Sequence, residues 1–271
     1  MTGGASTPAG GYLLGNDAPE AMDRFEAFAA LFDPSTFRHL DGLGLAPGWR
    51  CWEVGAGGTS VVGHLAERVG LAGHVLATDI DIAWASSVTA ANVEVRVHDV
   101  ALDPPPAGPF DLVHARLVLV HVPERDTALA NMAAALRPGG VLLVEDADPA
   151  LQPLSCLEET GPEQVLANRL RRGFRTLLAD RGVDLAYGRS LPRRLRRAGL
   201  VGVMADAAFP VAHPACNYLE VATINLIRDQ LLDAGIASTD EIERHLASVR
   251  AGHLDLAQPP MISCWGLRPP A

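Results

Sequence analysis

Glycines at 55, 57 and 58 follow directly on a short, mostly apolar run in Arg50-Cys51-Trp52-Glu53-Val54-Gly55-Ala56-Gly57-Gly58-Thr59-Ser60-Val61-Val62. That order reads as a buried strand, a glycine turn and the start of a helix. Glycine lets the backbone turn through conformations closed to other residues, and it leaves no side chain between backbone and ligand. A helix opening there offers free amides and its positive dipole end to whatever lies in the turn. An acid, Glu53, stands two residues before the first glycine. Two more acids follow at matching places. The strand His74 to Thr78 ends in Asp79, 22 residues past Gly57, a separation that suits a carboxylate accepting hydrogen bonds from a ribose. The strand Val93 to Val97 ends in His98 and Asp99. Open α/β sheets bind ligands at the carboxyl edge of their strands, where all three acids fall.

Two later stretches extend the pattern. Phe110-Asp111-Leu112-Val113-His114-Ala115-Arg116 reads as a fourth strand, and Leu136-Arg137-Pro138-Gly139-Gly140-Val141-Leu142-Leu143-Val144 as a turn into a fifth. With these residues the chain resembles the class I S-adenosylmethionine-dependent methyltransferases. Glu53-Val54-Gly55-Ala56-Gly57 matches the acid-x-Gly-x-Gly motif of that family, with Asp79 and Asp99 as its second and third acids. The likeness is dense over residues 48 to 147 and loose outside them. It departs at Thr59, where the family usually carries a third glycine. In overall style the chain is similar to actinobacterial members acting in natural-product pathways.

The resemblance implies a single Rossmann-like domain with a seven-stranded sheet in the order 3-2-1-4-5-7-6, its seventh strand antiparallel. Residues 1–47 would form a helical cover, 48–147 the cofactor core, and 148–271 the substrate-side helices and the last two strands. It further implies S-adenosylmethionine as cofactor. Glu53, Gly55, Ala56 and Gly57 would line its methionine and ribose part. Asp79 would bind the ribose hydroxyls with Ile80 packed on the adenine, Asp99 and Val100 would meet the adenine, and Ala115, Arg116 and Leu117 would lie under the methionine end. His121, after the fourth strand, is the candidate base; a packing role just before a proline is its alternative. His98 is expected beside the adenine, with His114 a lesser candidate base.

Elements outside the core follow from periodicity and caps. A helix over Pro19 to Phe32 carries Met22, Phe25, Phe28, Leu31 and Phe32 near one face, and Asp33-Pro34 should end it and cap the next. Val61 to Val69, Ile82 to Ala91, a stretch ending near Leu136, Pro162 to Arg181, Ser190 to Ala198, Tyr218 to Leu232 and Thr239 to Val249 read as further helices. Leu200 to Ala205 and Pro260 to Gly266 read as the last strands. The Tyr218 to Leu232 helix is apolar on more than one side, which leaves open a lid over a substrate pocket or a homodimer interface. Glu145 and Asp146 end the fifth strand and are candidates for substrate contact; Asp148 reads as a solvated surface acid. Tyr12 could fold over the site.

Composition narrows the chemistry. All 22 basic residues are arginine, and the formal net charge is −10. The lack of lysine removes a P-loop nucleotide site, a pyridoxal Schiff base and a Tyr-Lys reductase pair. The acidic balance argues against a nucleic-acid partner. Two arginine clusters, Arg169-Arg171-Arg172-Arg175 and Arg193-Arg194-Arg196-Arg197, read as solvated faces or as the seat of an anionic substrate. Four scattered cysteines show no metal-ligand spacing, and no apolar run reaches the roughly 20 residues of a membrane span. A cytoplasmic, metal-free enzyme methylating a small molecule is the expectation. A nicotinamide-dependent oxidoreductase, through Gly55-x-Gly57-x-x-Ser60, and a member of the fold with non-methylating activity are the alternatives.

Overall fold

Strands apolar on both faces are stable only between two layers of helix, and that requirement organises this chain. The computed structural model describes residues 20–270; Tyr12 lies outside them. In order the elements are α1 (Glu20–Gly42), β1 (Arg50–Val54), α2 (Ser60–Val69), β2 (His74–Asp79), β3 (Val93–Val97), β4 (Phe110–Arg116) and α3 (Arg125–Ala135). Then come β5 (Leu136–Ala147), α4 (Pro162–Asp180), α5 (Tyr187–Arg197), β6 (Val201–Ala208), α6 (Pro214–Leu226), α7 (Arg228–Asp233), α8 (Thr239–Arg250) and β7 (Met261–Leu267).

The seven strands form one sheet in the order β3-β2-β1-β4-β5-β7-β6. β3, β2, β1, β4 and β5 pair in parallel, while β7 runs antiparallel to both β5 and β6. This is the expected order and direction. On one face, α2 turns Val61, Val62, Leu65, Ala66 and Val69 inward at helical spacing against Cys51, Val75 and Leu143. On the other, Leu129 and Met132 of α3 and Leu191 and Leu195 of α5 pack with Trp52, Val113 and Val144. The buried Trp52 indole donates from Nε1 to Thr78 Oγ1 at 2.9 Å, so even this largest core side chain leaves no donor unmade.

Several local expectations are corrected. α1 is one helix through Pro34, so Asp33 caps nothing and lies mid-helix. The proline forfeits one backbone bond, and the helix continues because Phe32, Thr36, His39 and Leu40 are buried on its inner side. The helix expected over Ile82 to Ala91 shrinks to a 3-10 turn, Ala85–Ser87. There Ser87 Oγ donates back to the Trp84 carbonyl at 2.7 Å, a competing local bond that favours a turn over a helix. The long apolar helix after Tyr218 instead starts at Pro214 and breaks at Ile227 into α6 and α7. Asp148 is fully buried, where its carboxylate accepts from the backbone N–H and guanidinium of Arg189.

Candidate active site

The carboxyl ends of β1, β2 and β4 open into one cavity of about 460 Å³. Its floor is the turn after β1. Gly55 has φ +71°, and a Cβ there would meet Val118 Cγ2 at 2.1 Å, so only glycine fits. A Cβ on Gly57 would lie 3.1 Å from the Phe25 ring and 4.0 Å from Asp79 Oδ2. Bare backbone thus lies between the β2 acid and an aromatic from the covering helix.

Asp79 Oδ1 accepts from the Asp81 backbone N–H at 2.9 Å, and burial raises the carboxyl above its ordinary range. Beside it Ile80 is 73% exposed, an apolar side chain offered to the cavity. Asp99 also borders the cavity, but its Oδ1 accepts from the N–H groups of Ala101 and Leu102 at 2.8 and 3.1 Å, so it caps a turn as well. His98 has Nε2 3.1 Å from the Pro104 carbonyl. A carbonyl only accepts, so Nε2 carries the proton and Nδ1 is left as a buried acceptor without a partner.

Glu53, Ala56 and Val100 border the cavity with them, as do Arg116 and Leu117. Ala115 does not; it is buried in the core between β1 and β5. Leu117 takes φ 58° and donates its N–H to the Glu145 carbonyl at 2.8 Å, which turns the chain sharply out of β4. His121 follows, half-buried at the cavity wall. Burial first, then the charges of Arg24 and Arg125, lower its pKa to about 4, so its imidazole is neutral near pH 7.

Behind the floor runs a buried polar ladder that strand order alone does not reveal. In register, Glu53 faces His114, Arg116 faces Glu145, and Glu145 faces Ser263. His114 Nδ1 lies 2.6 Å from Glu53 and Nε2 3.2 Å from Glu145. Carboxylates only accept, so two of them on one ring require both nitrogens protonated. Burial opposes that charge, but Glu53 and Glu145 outweigh it and raise His114 to about 9. Glu145 also accepts from Thr36 and Ser263, each at 2.5 Å. Burial opposes the charge on Glu145, but His114 and His39 outweigh it and keep this carboxyl far below the usual range. Arg116 donates to Asp33 at 2.8 Å and Thr36 at 3.0 Å. α1 is therefore fastened to the sheet by charge. Neither Glu145 nor Asp146 borders the cavity; Asp146 is on the opposite face, where burial raises its carboxyl well above the usual range.

The far half of the cavity is roofed by helices. Phe25, Phe28 and Phe32 of α1 meet Leu219 and Thr223 of α6 and Arg171, Phe174 and Leu178 of α4. The periodicity of α1 marked its aromatic face without saying what it covers. The lining role of α4 was not read from the sequence, where Arg169, Arg171, Arg172 and Arg175 stood only as a solvated face or the seat of an anionic substrate. The signal that could have found it is the i, i+3, i+4, i+7 spacing of Arg171, Phe174, Arg175 and Leu178. Among the described residues no helix is long and apolar enough to cross a membrane, and no cluster of His, Cys, Asp and Glu could hold a metal ion.

A family model described as a methyltransferase domain matches residues 17–204. The ubiquinone/menaquinone biosynthesis C-methyltransferase UbiE of Vibrio cholerae is 33% identical over 180 residues, covering 63% of this chain and 67% of that protein. Nocamycin O-methyltransferase of Saccharothrix syringae is 33% identical over 157 residues, covering 52% of this chain and 56% of that one. Among solved structures, phosphoethanolamine N-methyltransferase 2 of Haemonchus contortus, held with phosphomonomethylethanolamine and S-adenosylhomocysteine, superposes with a TM-score of 0.54. It is 15% identical and covers 93% of this chain and 59% of that chain, a likeness of fold.

Proposed function

This chain belongs to the methyltransferase-domain family, and we propose that it methylates a small organic molecule of secondary metabolism in the cavity above β1, β2 and β4. Membership sets aside the nicotinamide-dependent alternative. The cofactor is S-adenosylmethionine, which when bound supplies a methyl group on a positively charged sulfur and a neutral leaving group.

One observation carries the reading. A single cavity joins a glycine-and-acid floor to a largely apolar chamber closed over by α1, α4 and α6. The floor fits the cofactor's parts. Bare backbone at Gly55 and Gly57 leaves room for close approach, Asp79 provides a ribose acceptor, and exposed Ile80 provides a flat apolar contact for the base. His98 Nδ1 and Asp99 offer acceptors at the adenine edge. Glu53, held by His114, would face the methionine end with Ala56, Val100, Arg116 and Leu117 around it.

The residues act chiefly by position. Methyl transfer needs its nucleophile in line with the breaking bond, and a closed chamber that fixes an acceptor supplies that alignment. Phe25 and Phe28 keep water from the floor. His121, neutral near pH 7, takes the proton of an acceptor hydroxyl.

Calorimetry with S-adenosylhomocysteine and NADPH on the wild type and on Asp79→Ala tests the cofactor. Micromolar binding of the first, lost in the variant, is expected. A methyl-labelled cofactor offered with a panel of hydroxylated aromatics and polyketide-like acids then tests transfer; binding of NADPH alone would sink the reading.

A further inference from the structure

The roof of the chamber holds a charge that methyl transfer does not itself require. Arg171, Phe174, Arg175 and Leu178 of α4 all border the cavity, one helix face at i, i+3, i+4 and i+7. Arg171 is compensated. Its Nη2 donates to Glu220 at 3.1 Å, with Gln258 Oε1 at 3.3 Å and Ser155 Oγ at 3.4 Å, and His245 Nε2 stands 2.9 Å from the other oxygen of Glu220. All of these side chains are buried.

Arg175, one turn further, has no acidic partner among the described residues, and its Nε is buried without an acceptor. Unmade buried donors are costly and rare; an oxygen brought by a ligand would complete this one. The remaining acid at this end of the cavity, Glu124, is exposed at the rim. The neighbouring walls, Phe28, Phe174, Leu178, Leu219 and Met261, are apolar. Arg175 therefore brings an uncompensated positive charge into an apolar chamber, although the whole chain carries a net charge of −10.

Building on the methyl-transfer reading, we propose that the acceptor molecule is an amphipathic anion. Its apolar body lies against Phe174, Leu178 and Met261, and a carboxylate-type group is received by the guanidinium of Arg175. A planar fork of donors favours a planar, two-oxygen anion over a single point charge. The group recognised is distinct from the atom methylated, which lies toward the floor.

Calorimetry on the full chain tests this with two probes of the same shape, 2-naphthoate and 2-naphthamide, with and without S-adenosylhomocysteine. The naphthoate should bind about tenfold or more tightly than the amide, as a charge-assisted pair predicts, and the difference should shrink with salt. Arg175→Met should reduce the naphthoate to the level of the amide, and Arg175→Lys should keep part of the preference. Both variants should bind S-adenosylhomocysteine as the wild type does and keep its circular dichroism.

Equal affinity for the two probes, no measurable naphthoate binding at millimolar concentration, or a preference unchanged in Arg175→Met would each overturn the proposal. So would a loss of S-adenosylhomocysteine binding in Arg175→Met, which would assign the residue to the cofactor carboxylate. Failure of the methyl-transfer reading looks different: the wild type would then bind no S-adenosylhomocysteine, whatever the naphthoate does.

Discussion

His114 lies between two carboxylates, Glu53 at 2.6 Å and Glu145 at 3.2 Å, with all three side chains buried. The cation is thus part of the fold, and it joins the acid of the glycine turn to the helix that covers it. A group whose pKa is raised on folding adds stability that is complete below its unfolded value and is lost as pH rises through its folded one. For His114 those values are 6.5 and about 9. Stability should therefore fall by roughly 3 kcal/mol across that window. Urea titrations at pH 6, 7, 8 and 9 would measure it. His114→Gln should remove the slope and cost about 3–5 kcal/mol, since it leaves two buried carboxylates facing each other.

The glycine turn makes a paired prediction. Gly55→Ala forces a side chain into a positive φ and onto Val118, so it should lose about 1–3 kcal/mol of stability and most of the cofactor affinity. Gly63→Ala, a few residues on in α2, meets open space on an exposed helical surface. That change should stabilise by about 0.5–1 kcal/mol and leave cofactor binding alone. Thermal melts and calorimetry on both variants separate the two effects.

Asp79→Asn keeps the shape of the side chain and its contact with the Asp81 backbone but removes the charge. Affinity for S-adenosylhomocysteine should drop about 10- to 100-fold, as for one charge-assisted hydrogen bond. Because burial raises Asp79, wild-type affinity should decline on acidification at a higher pH than an ordinary aspartate would dictate. The variant should be flat over that range.

His121→Gln should lower kcat by about 10²- to 10⁴-fold with the cofactor Kd unchanged, as expected for a general base. With its pKa lowered to about 4, kcat/KM should rise with pH through that value and show no step near 6.5. A variant of wild-type rate would give His121 a packing role instead.

What the sequence disclosed divides along physical lines. The glycine turn, the acids at strand ends and the alternation of strand and helix are local signals, repeated often enough to be read together, whereas the strand order came only with the family resemblance. The ladder of Glu53, His114 and Glu145 is not local, since its members lie 61 and 31 residues from His114. His114 accordingly read as a lesser candidate base, and Glu145 as a substrate contact. Asp148 read as a surface acid because its partner, Arg189, is 41 residues away. The Ile82 to Ala91 stretch misled for a different reason. Its apolar spacing suits a helix, but Ser87, Val88 and Thr89 are weak helix formers and the backbone took a serine-closed turn instead.

Each of the four cysteines is at most 2% exposed, and they occupy four separate places: Cys51 in β1, Cys156 ahead of α4, Cys216 in α6 and Cys264 in β7. None is paired. A thiol reagent can reach them only when the surrounding structure opens. The protein thus carries four built-in clocks, and the rate at which mass accumulates at each thiol times the breathing of β1, of β7 and of the roof separately.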